Sequence, residues 1–200
     1  MSALLSRVAV SMERLASWRL VIVAGVVFAA FAVLMFGSTA PFSIGHVQTL
    51  CGQAPPDVRF FTSAVDMRAF MAGCGEAGRS AYRNLQFADL VYPTVSAVFM
   101  ASMLATVLSR ITREGSLWVA AAALPVIGAG FDYLENVAAW VTLLGYPEQS
   151  GAAATLLGGA SAAKQTVSWL GGLLLMVVLG YALALWGMRQ WRERASTSAR

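Results

Sequence analysis

Asp132, Glu135 and Asn136 lie at i, i+3 and i+4, a spacing that sets two carboxylates and an amide on one face of a helix. The run that contains them is apolar from Leu117 to Leu144, long enough to cross a bilayer. An acidic side chain near the middle of a membrane helix costs roughly 2.5–3.5 kcal/mol on insertion scales, so two of them require partners, protonation or water. Asp89, Tyr92, Pro93 and Ser96 form a second stripe at i, i+3, i+4 and i+7, and Lys164 opens a further apolar run. Turned inward, these stripes build one polar pocket in the outer half of the bilayer, open to the outside, that holds Asp89, Tyr92, Ser96, Asp132, Glu135, Asn136 and Lys164. Three carboxylates against one ammonium leave a formal charge of about −2, which low dielectric disfavours and a protonated carboxyl or a cationic ligand relieves. The bland reading is a staple, in which Lys164 pairs with Asp132 or Glu135 and pins two helices.

Other chemistries are excluded by inventory. His46 is the single histidine, and Cys51 and Cys74 are the two cysteines, which removes most zinc and haem arrangements and the Cys-x-x-Cys of a thiol oxidoreductase. No Ser or Cys nucleophile stands beside a base. The acidic residues could hold a hard divalent cation, and no organic cofactor is predicted. Two functions fit the pocket: binding a small or lipid-like ligand, and acid–base catalysis by carboxylates inside the membrane. A third fits the short length: a structural or assembly subunit of a larger membrane complex, or a homo-oligomer.

The elements that must position these residues are membrane helices. With 58% hydrophobic and 12% charged residues, the chain is too apolar for an ordinary soluble domain. Its arginines cluster at segment ends and form no stripe suited to nucleic acid, so the bilayer is the expected partner. We expect an all-α, four-helix transmembrane bundle forming a single domain, with spans at about 18–36, 86–108, 117–144 and 164–187. An amphipathic lead-in from Met1 to Arg19 precedes the first span. A cleaved signal peptide is the rival reading of that span, and its length argues for retention. Arg7, Arg14 and Arg19 precede the first span, Arg110 and Arg113 follow the second, and Arg189, Arg192, Arg194 and Arg200 follow the last. The positive-inside rule puts all three groups, and both termini, in the cytoplasm.

The extracytoplasmic loop 37–85 then lies in an oxidising compartment, where Cys51 and Cys74 form a disulfide. Phe60, Phe61, Val65, Met67, Phe70 and Met71 suggest a short interfacial helix that Gly73 and Gly75 end. Within the second span Pro93 cannot bond the carbonyl of Asp89, so a kink and a free acceptor are expected there. Pro125 predicts a second kink. Glu148 to Ala163, rich in Gly and Ala, reads as an outer loop.

Four pieces occur in order: Gly75-Glu76-Ala77-Gly78-Arg79-Ser80-Ala81-Tyr82, Asp89-Leu90-Val91-Tyr92-Pro93, Asp132-Tyr133-Leu134-Glu135-Asn136, and Lys164. Together they resemble a group of small bacterial four-helix integral membrane proteins, over roughly residues 60 to 175. The resemblance implies a bacterial inner membrane. It also implies that Arg79, Tyr82, Asp89, Asp132, Glu135, Asn136 and Lys164 belong together, and it supplies no substrate. Arg79 and Arg83 would then stand at the pocket mouth, placed to offset its charge or meet a phosphate.

Overall fold

The computed structural model describes residues 2–113 and 115–198, apart from the side chains of 2, 193 and 195–198. Met1 of the lead-in, Glu114 of the turn after the second span and Arg200 of the basic end lie outside the described residues. Helices make up most of the described chain, and four segments are long and apolar enough to cross a membrane: Trp18–Phe36, Gly75–Ile111, Leu117–Leu144 and Gly151–Arg192. The helices are α1 (Ser2–Glu13), α2 (Trp18–Phe36), α3 (Ile44–Cys51), α4 (Ala64–Gly73), α5 (Gly75–Asp89), α6 (Tyr92–Ile111), α7 (Leu124–Leu144) and α8 (Gly151–Ser198).

Packing runs as a chain of neighbours. α2 lies on α6, α6 on α7, and α7 on α8 in the most extensive interface of the molecule. α1 folds back against α6 and the 3-10 segment Leu117–Ala123 that leads into α7. At the opposite end α3 packs on α5 and α4 on α8.

Proline sets where two helices begin. Both Pro93 and Pro125 occupy the first turn of a helix, where the missing N–H costs nothing. The expected kinks are therefore starts. The second span is two helices, α5 and α6, with a break at Leu90 and Val91. The stretch before Pro125 winds as the 3-10 segment instead of continuing α7.

The loop expected over 148–163 is helical from Gly151 onward, so the last helix begins well before Lys164. Its alanines are strong helix formers, and Ala154, Leu157, Ala160 and Ser161 recur on one buried face. Gly158 sits on that face, where an added Cβ would come within 2.3 Å of the Thr62 carbonyl oxygen. Glycine there lets α8 touch the backbone of the 37–74 segment.

That segment is more ordered than a loop. Ser43 caps α3 by accepting from the His46 N–H, and Gly52 ends the helix with a left-handed φ of 70°. Ser63 and Asp66 cap α4 reciprocally. Hydrogen bonds from Ser63 hold the exposed Asp66 carboxyl below its ordinary range. Met67, Phe70 and Met71 of α4 are fully buried, so the predicted short helix packs on the bundle. Cys51 and Cys74 form a disulfide, seated against Gly78 of α5, where a Cβ would meet Cys51 Sγ at 2.9 Å. Closing a ring of this size is worth about 3 kcal/mol.

Candidate functional site

α7 carries two sets of ligands on adjoining faces. Asp132 and Glu135, three residues apart, turn toward α8, where both carboxylates meet Lys164. The ammonium lies 3.2 Å from Asp132 Oδ1, contacts Glu135 Oε2, and donates to the backbone carbonyl of Asp57 at 3.2 Å. An ammonium has three N–H donors, and three acceptors receive them. Ser161, one turn before Lys164 on α8, binds the other oxygen of Glu135. Glu135 is 0% exposed, so this closed set neutralises a carboxylate that water does not reach.

Tyr133 and Asn136 face the other way, toward the break between α5 and α6. Asn136 Nδ2 donates to the Asp89 carbonyl at 2.9 Å, and Tyr133 Oη donates to the Leu90 carbonyl at 3.0 Å. The acceptor that Pro93 leaves free is thus taken by the amide of the acidic motif. Helix ends expose carbonyls that need such partners. Four of five consecutive residues, all but Leu134, tie α7 to α8 on one side and to the α5–α6 break on the other.

The 37–74 segment adds a carboxylate that sequence reasoning missed. Asp57 sits in the 3-10 turn Pro56–Val58 and points into the bundle. Tyr82 Oη and Gln86 Nε2 donate to its two oxygens, each at 2.7 Å. Burial raises its pKa, opposed by Lys164 and by the hydrogen bond from Tyr82. The signal was present on α5: Tyr82, Gln86 and Asp89 fall at i, i+4 and i+7, a polar stripe that demands a partner. Ser161 had no such signal, because its surroundings read as a loop.

These elements enclose a cavity of about 400 Å³. Asp57, Asp89, Asp132 and Lys164 form its polar end together with Tyr92, and Ser96 lines it further along α6. Glu135 and Asn136 stand behind that wall. The remainder is mostly apolar, with Phe28, Met35 and Phe36 from α2, Met100 from α6, Ala129 from α7 and Val167 from α8, and it also takes in Gln165 and Ser168 of α8. Asp89 differs from its neighbours. It is 7% exposed and lines the cavity, yet its carboxylate has no hydrogen-bond or ion-pair partner among the described residues.

Arg79 and Arg83 are not at the cavity mouth. Arg79 donates to the Met71 carbonyl at 3.1 Å and stacks on Tyr146, 4.3 Å from the ring centre. Arg83, on the same helix, is exposed. Neither lines the cavity, because the face of α5 that turns inward carries Tyr82, Gln86 and Asp89. Among the described residues, no three His, Cys, Asp or Glu side chains converge as a metal-binding set. Comparison with protein-family models, curated proteins and solved structures gives no match to this chain. What the site does is therefore read from its own geometry.

Proposed function

We propose that this chain is a multi-pass protein of a bacterial inner membrane that binds a small or lipid-like ligand in the cavity between α2, α6, α7 and α8. Both termini lie in the cytoplasm in this reading, and the disulfide-bonded segment 37–74 covers the outer end. The observation that carries it is the shape and polarity of the cavity. A volume of about 400 Å³ falls in the range of small-molecule sites, and its charged groups gather at one end of a mostly apolar wall.

The tryptophans of α8 support an orientation. Trp169 and Trp186 are both exposed and stand about 26 Å apart along the helix, close to the hydrocarbon thickness of a bilayer. Lys164 then sits just beyond the outer boundary, with Asp89 and Asp132 beside it. The apolar part of the cavity descends from there into the hydrocarbon. The Lys164 set belongs to the framework, because its donors and acceptors are matched within the protein. Ligand binding falls to the cavity wall.

Native mass spectrometry with lipid analysis tests this on protein purified in a maltoside detergent. Ser96→Leu/Ala129→Leu fills the cavity with side chains suited to its wall. We expect a species held by the wild type to be lost from this variant at equal thermal stability. Equal occupancy in both overturns the pocket.

A further inference from the structure

The cavity has more to say about its occupant, and this inference rests on the ligand-binding reading above. Three carboxylates and one ammonium line the wall, and Glu135 lies directly behind it. Lys164 is fully engaged by Asp132, Glu135 and the Asp57 carbonyl. It has no donor left for a phosphate or carboxylate head group. Arg79 and Arg83 point elsewhere. Asp57 is satisfied by Tyr82 and Gln86, which leaves Asp89 as the acceptor facing open space. A carboxyl this buried, with no partner of its own, either keeps its proton or is completed by a cation, and the groups around it decide which.

Aromatic rings stand around the same end. Tyr92 follows Asp89 across the α5–α6 break. Its ring lies 5.6 Å from Phe36 and 6.0 Å from Phe28, centre to centre, and all three side chains line the cavity. Ring faces beside a carboxylate attract an alkylated ammonium, which needs no hydrogen bonds and suits a low-dielectric wall. Below them the lining continues from Tyr92 to Met100 along α6, about 12 Å of helix rise. α2 and α8 both contribute walls to this shaft without an extensive interface between them.

We propose that the ligand is a cationic amphiphile. Its alkylated ammonium head rests between Asp89 and the rings of Phe36 and Tyr92, and its single apolar chain runs along the shaft between α2 and α8.

Binding of dodecyltrimethylammonium, dodecyl sulfate and tetramethylammonium to full-length protein in a maltoside detergent decides the matter. We expect the dodecyl cation to bind at least about tenfold tighter than the anion of equal chain length, and tighter than the tail-less cation. Asp89→Asn and, separately, Tyr92→Leu should each weaken the dodecyl cation about tenfold while leaving dodecyl sulfate unchanged. Two substitutions of different kind keep the test open if one destabilises the fold. Equal binding of cation and anion, or a cation affinity indifferent to both substitutions, overturns the cationic head and leaves the pocket standing. Wild type that binds none of the probes, and holds no co-purified species sensitive to filling the cavity, overturns both.

Discussion

The two ends of the bundle bury apolar side chains of similar kinds, but only one of them buries charge. At the end formed by α3, α4 and α5, the core of Met35, Val47, Met67, Phe70, Tyr82 and Leu157 surrounds the polar cluster. At the other end, Ala9, Leu104, Ala105, Leu108, Val119, Ala122 and Val178 pack without a charged member. The four buried carboxylates among the described residues, at Asp57, Asp89, Asp132 and Glu135, all belong to the first end. At the second, the buried Ser102 bonds the Phe99 carbonyl of its own helix and asks nothing of its neighbours. One end is therefore held mainly by shape, with Arg110 stacked on Trp18 at its edge. The other is held by specific matched pairs, and there the covalent ring of Cys51 and Cys74 adds a constraint of a kind the packed end does not have.

Breaking the charged end should give the largest effect. Lys164→Met strands Asp132 and Glu135 together in a dry site, and removing one member of a buried pair costs about 3–5 kcal/mol. Thermal unfolding in detergent should show a large drop in midpoint. Adding Asp132→Asn and Glu135→Gln to the same chain should restore most of it. If the triple variant is no better than the single one, the matched set is not what holds this end.

The packed end offers the control. Leu104→Ala removes a fully buried side chain and should cost about 2–5 kcal/mol by transfer and cavity terms. Occupancy of the cavity at the other end should stay the same below the melting range. A loss of bound ligand in this variant would mean that the two ends are not separable.

The smallest effect sharpens the comparison within the charged end, through pH. Asp57 has a raised pKa, so the folded protein takes up its proton more readily than the unfolded chain. Its contribution is full below the ordinary value of 3.8 and declines as pH rises through the folded value. Asp66 is lowered, and its capping contribution is present above 3.8 and lost as pH falls through the folded value. Subtracting the stability profile of Asp57→Asn from wild type should therefore give a difference that falls with rising pH. The corresponding difference for Asp66→Asn should rise. Slopes of the same sign in both would contradict the burial of Asp57.

Much of this was legible in the chain, and the failures share a cause. Runs of apolar residues located all four spans, because lipid compatibility leaves its mark on every residue of a segment. The free carbonyl at Asp89 followed from Pro93 alone, and the turn of Asp132 and Glu135 toward one partner followed from helical spacing, whereas Asn136, expected beside them, serves the α5–α6 break instead. Lys164 was found because a lone cation in apolar surroundings is conspicuous. Asp57 was not, since an aspartate after Pro55-Pro56 looks like an ordinary exposed turn until Tyr82 and Gln86 are seen to face it. The start of α8 was misread because glycine breaks helices in water. Gly158 is present for close contact with Thr62, a tertiary reason that no local pattern carries. Arg79 and Arg83 were misplaced for the same reason: which face of α5 turns inward depends on its partners.

α8 is 48 residues long, about 72 Å, against a hydrocarbon layer of about 30 Å. No tilt hides such a rod within the bilayer. Its first turns carry Leu157 and Ser161 into the capped end, and its last turns bear the exposed Arg189, Arg192 and Arg194. In mechanical terms it is a single lever with Lys164 near one end. That lysine and the basic tip therefore belong to one unbroken element, with no joint among its described residues.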